Sequence, residues 1–215
     1  MNILKRTVLI CTMVWTTMEA QVKAADRQTI TVESMTRIVF TGDSQTCGRN
    51  LAIDYPQILS WELPARVVNT SVGGSNSSAL LRPMKSGKVR IAKGETTLHG
   101  DRVHWGMGPF PGMSVTVHGQ QYTIDHVHEH YRTPDTEIII TEPARESYEG
   151  ADCAVEPGWD VRVANHRPDI VTLMYINDGN MPPPKRQDWR EMIRRIRSMG
   201  AVPVLMSPVP VDSNT

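Results

Sequence analysis

The chain lacks an excess of either charge: Lys+Arg and Asp+Glu number 23 each among 215 residues. A balanced chain carries no electrostatic footprint for nucleic acid or an anionic membrane, so neither is expected as a partner. Long apolar runs are missing too. The apolar stretch near the start, "TVLICTMVW", falls far short of the ~20 residues a membrane span needs, and no other stretch could span. There is no low-complexity tract and no convincing tandem repeat. Cysteine is scarce, with three in all, and no histidine follows His166.

What is present begins with an address. Lys5 and Arg6 precede the apolar stretch, and "EAQVKAA" then offers small residues, with Val22 and Ala24 at the usual cleavage positions. Residues 1–25 are expected to be a secretory signal peptide, cut after Ala24 or Ala25, and the protein to be secreted or periplasmic. A retained membrane anchor is the alternative. Cys11 leaves with the signal. Cys47 and Cys153 remain, and an oxidising compartment permits them to pair. Either they form a bridge that braces the loop around residue 44, or they stay as two thiols.

Residues 26–81 and 166–215 alternate strand-like and helix-like segments. Ile38-Val39-Phe40, Val67-Val68, "DIVTLMYI" and "AVPVLM" are short β-branched or apolar runs of the kind buried on both faces of a parallel sheet. "NLAIDYPQILSWEL" places Leu51, Tyr55, Ile58, Leu59 and Leu63 at helical spacing, although Pro56 is awkward there. "SSALL" opens another helix. "RQDWREMIRRIRSMG" puts Trp189, Met192, Ile193 and Ile196 on one helix face, with Gly200 as its stop. The expected class is α/β: a parallel sheet with helices on both faces. Residues 82–165 break the rhythm. "MSVTVHG", "QQYTIDHVHEHY" and "TEIIITEP" alternate with period two between Gly, Pro and Asp turns, and "HGQQYTI" reads as a hairpin. A small inserted β-domain, such as an SH3-like barrel, is expected there, because a structureless loop of that length is improbable.

Every polar, Gly-bearing segment of the α/β part follows a strand, where ligands bind in open sheets. "VFTGDSQT", "VVNTSVGGSNS" and "YINDGN" together resemble the first three signature blocks of the SGNH/GDSL hydrolases, in the same order and each after an apolar strand. The resemblance covers roughly residues 36–81 and 167–215. It implies a flavodoxin-like hydrolase fold, with Ser44 as nucleophile. The backbone N–H groups of Ser44 and Gly74 and the Asn177 carboxamide would form the oxyanion hole. Such donors suit acyl transfer because they meet the charge that develops on the carbonyl oxygen. Gly74 lets the main chain approach without a Cβ, and Asn177 donates while staying neutral. Asp43 and Asp178 are expected to support the loops. Taken alone, Asn177-Asp178-Gly179-Asn180 reads as an ordinary turn. No metal or organic cofactor is implied.

Two departures stand out. The Gly of the third block is Tyr175 here, a ring that either narrows the cleft or packs beneath it. The family's base, a His in a late Asp-x-x-His block, has no counterpart. His166 precedes the third strand and so belongs at the opposite edge. The expectation is a fragment of a longer esterase. A base from the insert, or lost catalysis, are the other two accounts. In "DHVHEH", His126, His128 and His130 alternate and would share one strand face, a weak zinc constellation. Trp105, Phe110, Tyr122 and Tyr131 either fill the insert's core or stack on sugar rings. The expected activity is hydrolysis of carboxylic esters through an acyl-enzyme on Ser44. The substrate would be O-acetyl or other acyl esters of carbohydrate, including acylated polysaccharide. A catalytically inactive glycan-binding module is the alternative.

Overall fold

The computed structural model describes residues 35–47, 53–101, 109–128, 137–175, 178 and 183–206. The chain opens with β1 (Arg37–Gly42), α1 (Ser44–Cys47), α2 (Tyr55–Glu62), β2 (Arg66–Asn69) and α3 (Ser78–Leu81). Six strands follow: β3 (Met84–Ile91), β4 (Thr97–Asp101), β5 (Ser114–Val117), β6 (Gln120–His128), β7 (Glu137–Ile140) and β8 (Tyr148–Val155). Then come α4 (Trp159–Arg162), a 3-10 turn (Ala164–His166), β9 (Ile170–Met174), α5 (Pro183–Ser198) and β10 (Val202–Leu205). The signal-peptide region, Leu51, Trp105, His130, Tyr131, Asn177 and Asn180 lie outside the described residues.

The expected flavodoxin-like α/β class is overturned. Six of the ten strands close into an antiparallel barrel in the order β3-β4-β7-β6-β5-β8. The parallel sheet has only four strands, β10-β9-β1-β2. Among the described residues helices are few, and of the five only α2 and α5 exceed four residues. The molecule is therefore mostly β. The physical reason lies in the connections. The segment after β2 spends a single turn as α3 before entering the barrel, and the return from β8 to β9 is made by the short α4 and a 3-10 turn. Neither is long enough to lay an amphipathic stripe along a sheet.

The central strands of the parallel sheet, β1 and β9, are nonetheless buried on both sides. β1 pairs with β2 (Val39 opposite Val68) and with β9 (Val39 opposite Val171). Ile38 and Phe40 pack with Ile170 and Val204 under Tyr55, Leu59 and Leu63 of the α2 region. On the other face, Val171 and Leu173 pack with Leu80, Met192 and Ile196. Pro56 does not break α2, because it sits in the first turn, where its missing N–H costs nothing. Asp54 caps that turn by accepting the Gln57 N–H at 2.7 Å. α5 ends in a Schellman arrangement: Ala201 N–H donates to Ile196 O, and Gly200 N–H to Arg197 O, with Gly200 at φ 79°.

The barrel has its own core, including Val89, Leu98, Val115, Tyr122, Ile124 and Ile138. Tyr122 is a core residue and Phe110 packs against that core. β5 and β6 form a hairpin with Val117 opposite Gln120. Its two turn residues, His118 and Gly119, both have positive φ, as a type I′ turn demands.

No disulfide joins Cys47 to Cys153. Cys153 lies on β8 with its side chain in the barrel core, whereas Cys47 ends α1 beside the parallel sheet. The bridge fails because Cys153 is enclosed in the barrel core and Cys47 is not. Burial pushes the Cys153 thiol up to about 12. The thiolate is the reactive form. In the native protein Cys153 is thus expected to resist a thiol reagent at mildly alkaline pH and to react fully only in denaturant. Peptide mapping of the labelled chain checks this, and equal labelling rates with and without denaturant would contradict it.

Candidate functional site

The rim at the carboxyl end of the parallel sheet is built from three loops. β1 delivers Gly42, Asp43 and Ser44. Gly42 O accepts from Val72 N–H (3.1 Å), tying this loop to the one after β2. Asp43 N–H donates to Met174 O (3.1 Å), tying it to the end of β9. Asp43 is fully buried and folds the chain into α1: its carbonyl accepts from the Thr46 and Cys47 N–H groups, and its Oδ1 from Gln45 N–H. Its supporting role is therefore to cap the turn that begins with Ser44. Ser44 itself is partly exposed, and its Oγ has no hydrogen-bond partner among the described residues.

The second loop turns at Val72–Ser75, closed by Ser75 N–H to Val72 O at 3.0 Å. Gly74 occupies φ 75° there, a conformation that side chains rarely tolerate. Neither the Ser44 nor the Gly74 N–H has an acceptor among the described residues. Both sit at turn positions where N–H groups have no local acceptor, Ser44 at the first turn of α1 and Gly74 in a tight turn, which leaves them open to a ligand or water. Asn69 braces the pair of loops: its Nδ2 donates to Asp54 Oδ2 and Thr46 O, and its Oδ1 accepts from Ser71 N–H.

In the third loop Asp178 is buried and doubly engaged. Oδ1 accepts Ser77 N–H at 3.2 Å and Oδ2 accepts Trp189 Nε1–H at 2.6 Å, while Lys185 Nζ stands 3.3 Å from Oδ1. It locks the β9 loop to the start of α3 and to α5. Trp189, which helical spacing assigned to packing, is also this loop's anchor. Tyr175 packs beneath the rim: it is buried, its hydroxyl meets Thr41 Oγ1 at 2.9 Å, and its ring stands edge-on to Trp189. Burial raises the Tyr175 phenol above its usual value, so it stays neutral.

No residue pattern in the sequence points to Arg162, yet it is the largest fully buried side chain among the described residues. It reaches from α4 under both loops. Nε donates to Thr70 O (2.9 Å), Nη1 to Ser75 Oγ (3.3 Å), and Nη2 to Thr41 Oγ1 and Gly42 O (both 3.4 Å). No carboxylate pairs with it among the described residues. Burial holds its pKa below the usual guanidinium value, opposed by the nearby Tyr175.

No family model, curated protein or solved structure matches the chain. The rim offers a hydroxyl, two unmatched backbone donors and a rigid bed of buried hydrogen bonds. Among the described residues it brings no imidazole to Ser44. His166 ends the 3-10 turn that precedes β9, at the amino edge of the sheet, and its buried Nε2 is without a partner. His118 is in a barrel turn, His99 faces Glu137 on the barrel, and His126 and His128 lie on β6. Among the described residues no group of three or more His, Cys, Asp or Glu could hold a metal ion. No helix among them is long and apolar enough to cross a membrane.

Proposed function

We propose that Ser44 is the nucleophile of a serine ester hydrolase acting on acyl esters, with O-acylated carbohydrate as the first substrate class. The observation that carries this reading is the pair of unmatched N–H groups, Ser44 and Gly74, on two loops that Gly42 O and Val72 N–H join. A serine hydroxyl beside unpaired donors is the minimum an acyl transfer needs. Ser44 Oγ adds to the acyl carbonyl, whose oxygen takes the negative charge toward those donors. Asn177, one residue before the anchored Asp178, supplies the third donor in this reading. Collapse of the adduct expels the alcohol and leaves the acyl group on Ser44, and water then releases the acid. The base that takes the Ser44 proton comes from outside the described residues. The resemblance to SGNH/GDSL hydrolases and the leader-like N-terminus support an exported enzyme, secreted or periplasmic, and neither suggests a cofactor.

A second reading is favoured by one fact, that Ser44 Oγ meets no base among the described residues: a non-catalytic protein whose barrel binds glycan. A fluorophosphonate probe and 4-nitrophenyl acetate separate the two. The hydrolase reading expects covalent labelling at Ser44 by peptide mapping, and ester turnover that Ser44→Ala abolishes. An unlabelled Ser44, with turnover no higher than that of Ser44→Ala, overturns it in favour of the binding reading.

A further inference from the structure

We infer that the outer face of β6 is a binding site for a first-row divalent metal of the Zn²⁺, Ni²⁺ and Cu²⁺ class, with His126 and His128 as ligands. The site is independent of the Ser44 reading.

The inference starts from a β-bulge. Between Ile124 and His126 the pairing of β6 with β7 shifts by one residue: Ile124 stands opposite Ile140, and His126 opposite Ile139. Without that shift, the alternation that buries Tyr122 and Ile124 would carry His126 and His128 into the barrel core. With it, Asp125 and His126 both face solvent, Val127 turns inward and His128 faces out again. Bulges re-aim side chains in this way and recur beside functional sites. Here the bulge brings a carboxylate and two imidazoles to one face.

Their spacing suits a chelate as well as the hydrogen bond it makes. The two Nε2 atoms are 3.1 Å apart, with ring planes at 78°. Metal–imidazole bonds run about 2.0–2.1 Å, so nitrogens at this spacing subtend about 98° at a shared ion, between the square and tetrahedral angles. Asp125 Oδ2 lies 2.7 Å from His126 Nδ1. A carboxylate only accepts, so it holds the proton on Nδ1 and leaves a lone pair on His126 Nε2. This carboxylate–histidine pairing is the support that orients metal-bound imidazoles. In the metal-free protein His128 donates Nε2–H to that lone pair. Moving its proton to Nδ1, a tautomer change with no net loss, frees the second lone pair for the ion. Both imidazoles are accessible, His126 having 46% of its side chain exposed. Glu137 stands opposite His128 in the register but is engaged by His99 Nδ1 at 3.0 Å. Two protein nitrogens with water completing the shell is therefore the site the described residues make.

The test is Zn²⁺ titration of the full chain against a chromophoric chelator, with Ni²⁺ as a second probe. One ion per chain is expected. His126→Ala and His128→Ala should each weaken binding at least ten-fold, and Asp125→Asn about ten-fold, because it removes the orienting partner. His118→Ala, elsewhere on the barrel, should leave affinity unchanged. Because the three residues are exposed, the metal-free thermal midpoint should not move. Absence of binding, or equal binding by the His126→Ala/His128→Ala double variant, overturns the site and leaves the pair as a plain hydrogen bond.

Discussion

Arg162→Ala is expected to destabilise the folded chain by about 3–5 kcal/mol, the largest single-residue effect anticipated outside the barrel core. Two effects of opposite sign compete. Removing a guanidinium that has no carboxylate partner relieves the desolvation of a buried charge. Against that, Ala leaves a cavity the size of the largest fully buried side chain among the described residues and strips donors from Thr70 O, Ser75 Oγ, Thr41 Oγ1 and Gly42 O. Gly42 O keeps Val72 N–H and Thr41 Oγ1 keeps the Tyr175 hydroxyl, so the penalty falls on Thr70 O and on the cavity; a buried acceptor left unmatched costs about 1–3 kcal/mol, and with the cavity the losses win. Arg162→Met separates the two effects, since it keeps most of the volume and drops the charge. It should recover part of the loss in stability while leaving the two loops without the guanidinium's share of their ties. Urea unfolding with an unchanged slope measures the first effect, and the rate of fluorophosphonate labelling at Ser44 measures the second. An Arg162→Ala midpoint equal to wild type would show that the guanidinium holds nothing together.

Gly42→Ala should cost about 3 kcal/mol and slow Ser44 labelling more severely than any change on the barrel. A Cβ at residue 42 would lie 2.3 Å from Met174 O and 2.4 Å from Thr46 Oγ1. The first contact is main chain and cannot rotate away. Relief requires β9 to move off β1 at the point where Asp43 N–H bonds Met174 O. Gly94 is the control. Nothing lies within 4 Å of its Cβ position, but its φ of 87° strains any side chain, so Gly94→Ala should cost only about 1 kcal/mol. Thermal midpoints of the two variants give the comparison directly. Equal losses would mean that backbone conformation, and not the β1–β9 approach, sets the cost.

The site is only partly legible along the chain. Gly42-Asp43-Ser44 announces itself because an apolar run ends abruptly in small polar residues, and β1 ends there. Asp43 and Asp178 are recognisable as loop supports because carboxylates following strands find backbone N–H groups. Arg162 and Asn69 are not recognisable. Their partners lie far off in sequence or on other elements, and nothing in their neighbours' periodicity marks them. The place of His166 works the other way: it is legible, since a residue that precedes a parallel strand lies at the far edge of the sheet.

Local chemistry by itself determined the strand runs, the hairpin at His118-Gly119, the α5 face of Met192 and Ile196, and its stop at Gly200. Each of these rests on contacts within a few residues or on a period of side chains. Tertiary structure alone decided the class of the fold, the separation of Cys47 from Cys153, the sinking of Tyr175 beneath the rim and the outward turn of His126 and His128. Those depend on how strands pair at a distance. Barrel closure claims six of the ten strands, it encloses Cys153 in a core that Cys47 does not share, and a one-residue register shift reverses which face of β6 meets water. A linear pattern carries the period of a strand but not its partner or its register, and it was partner and register that set these outcomes.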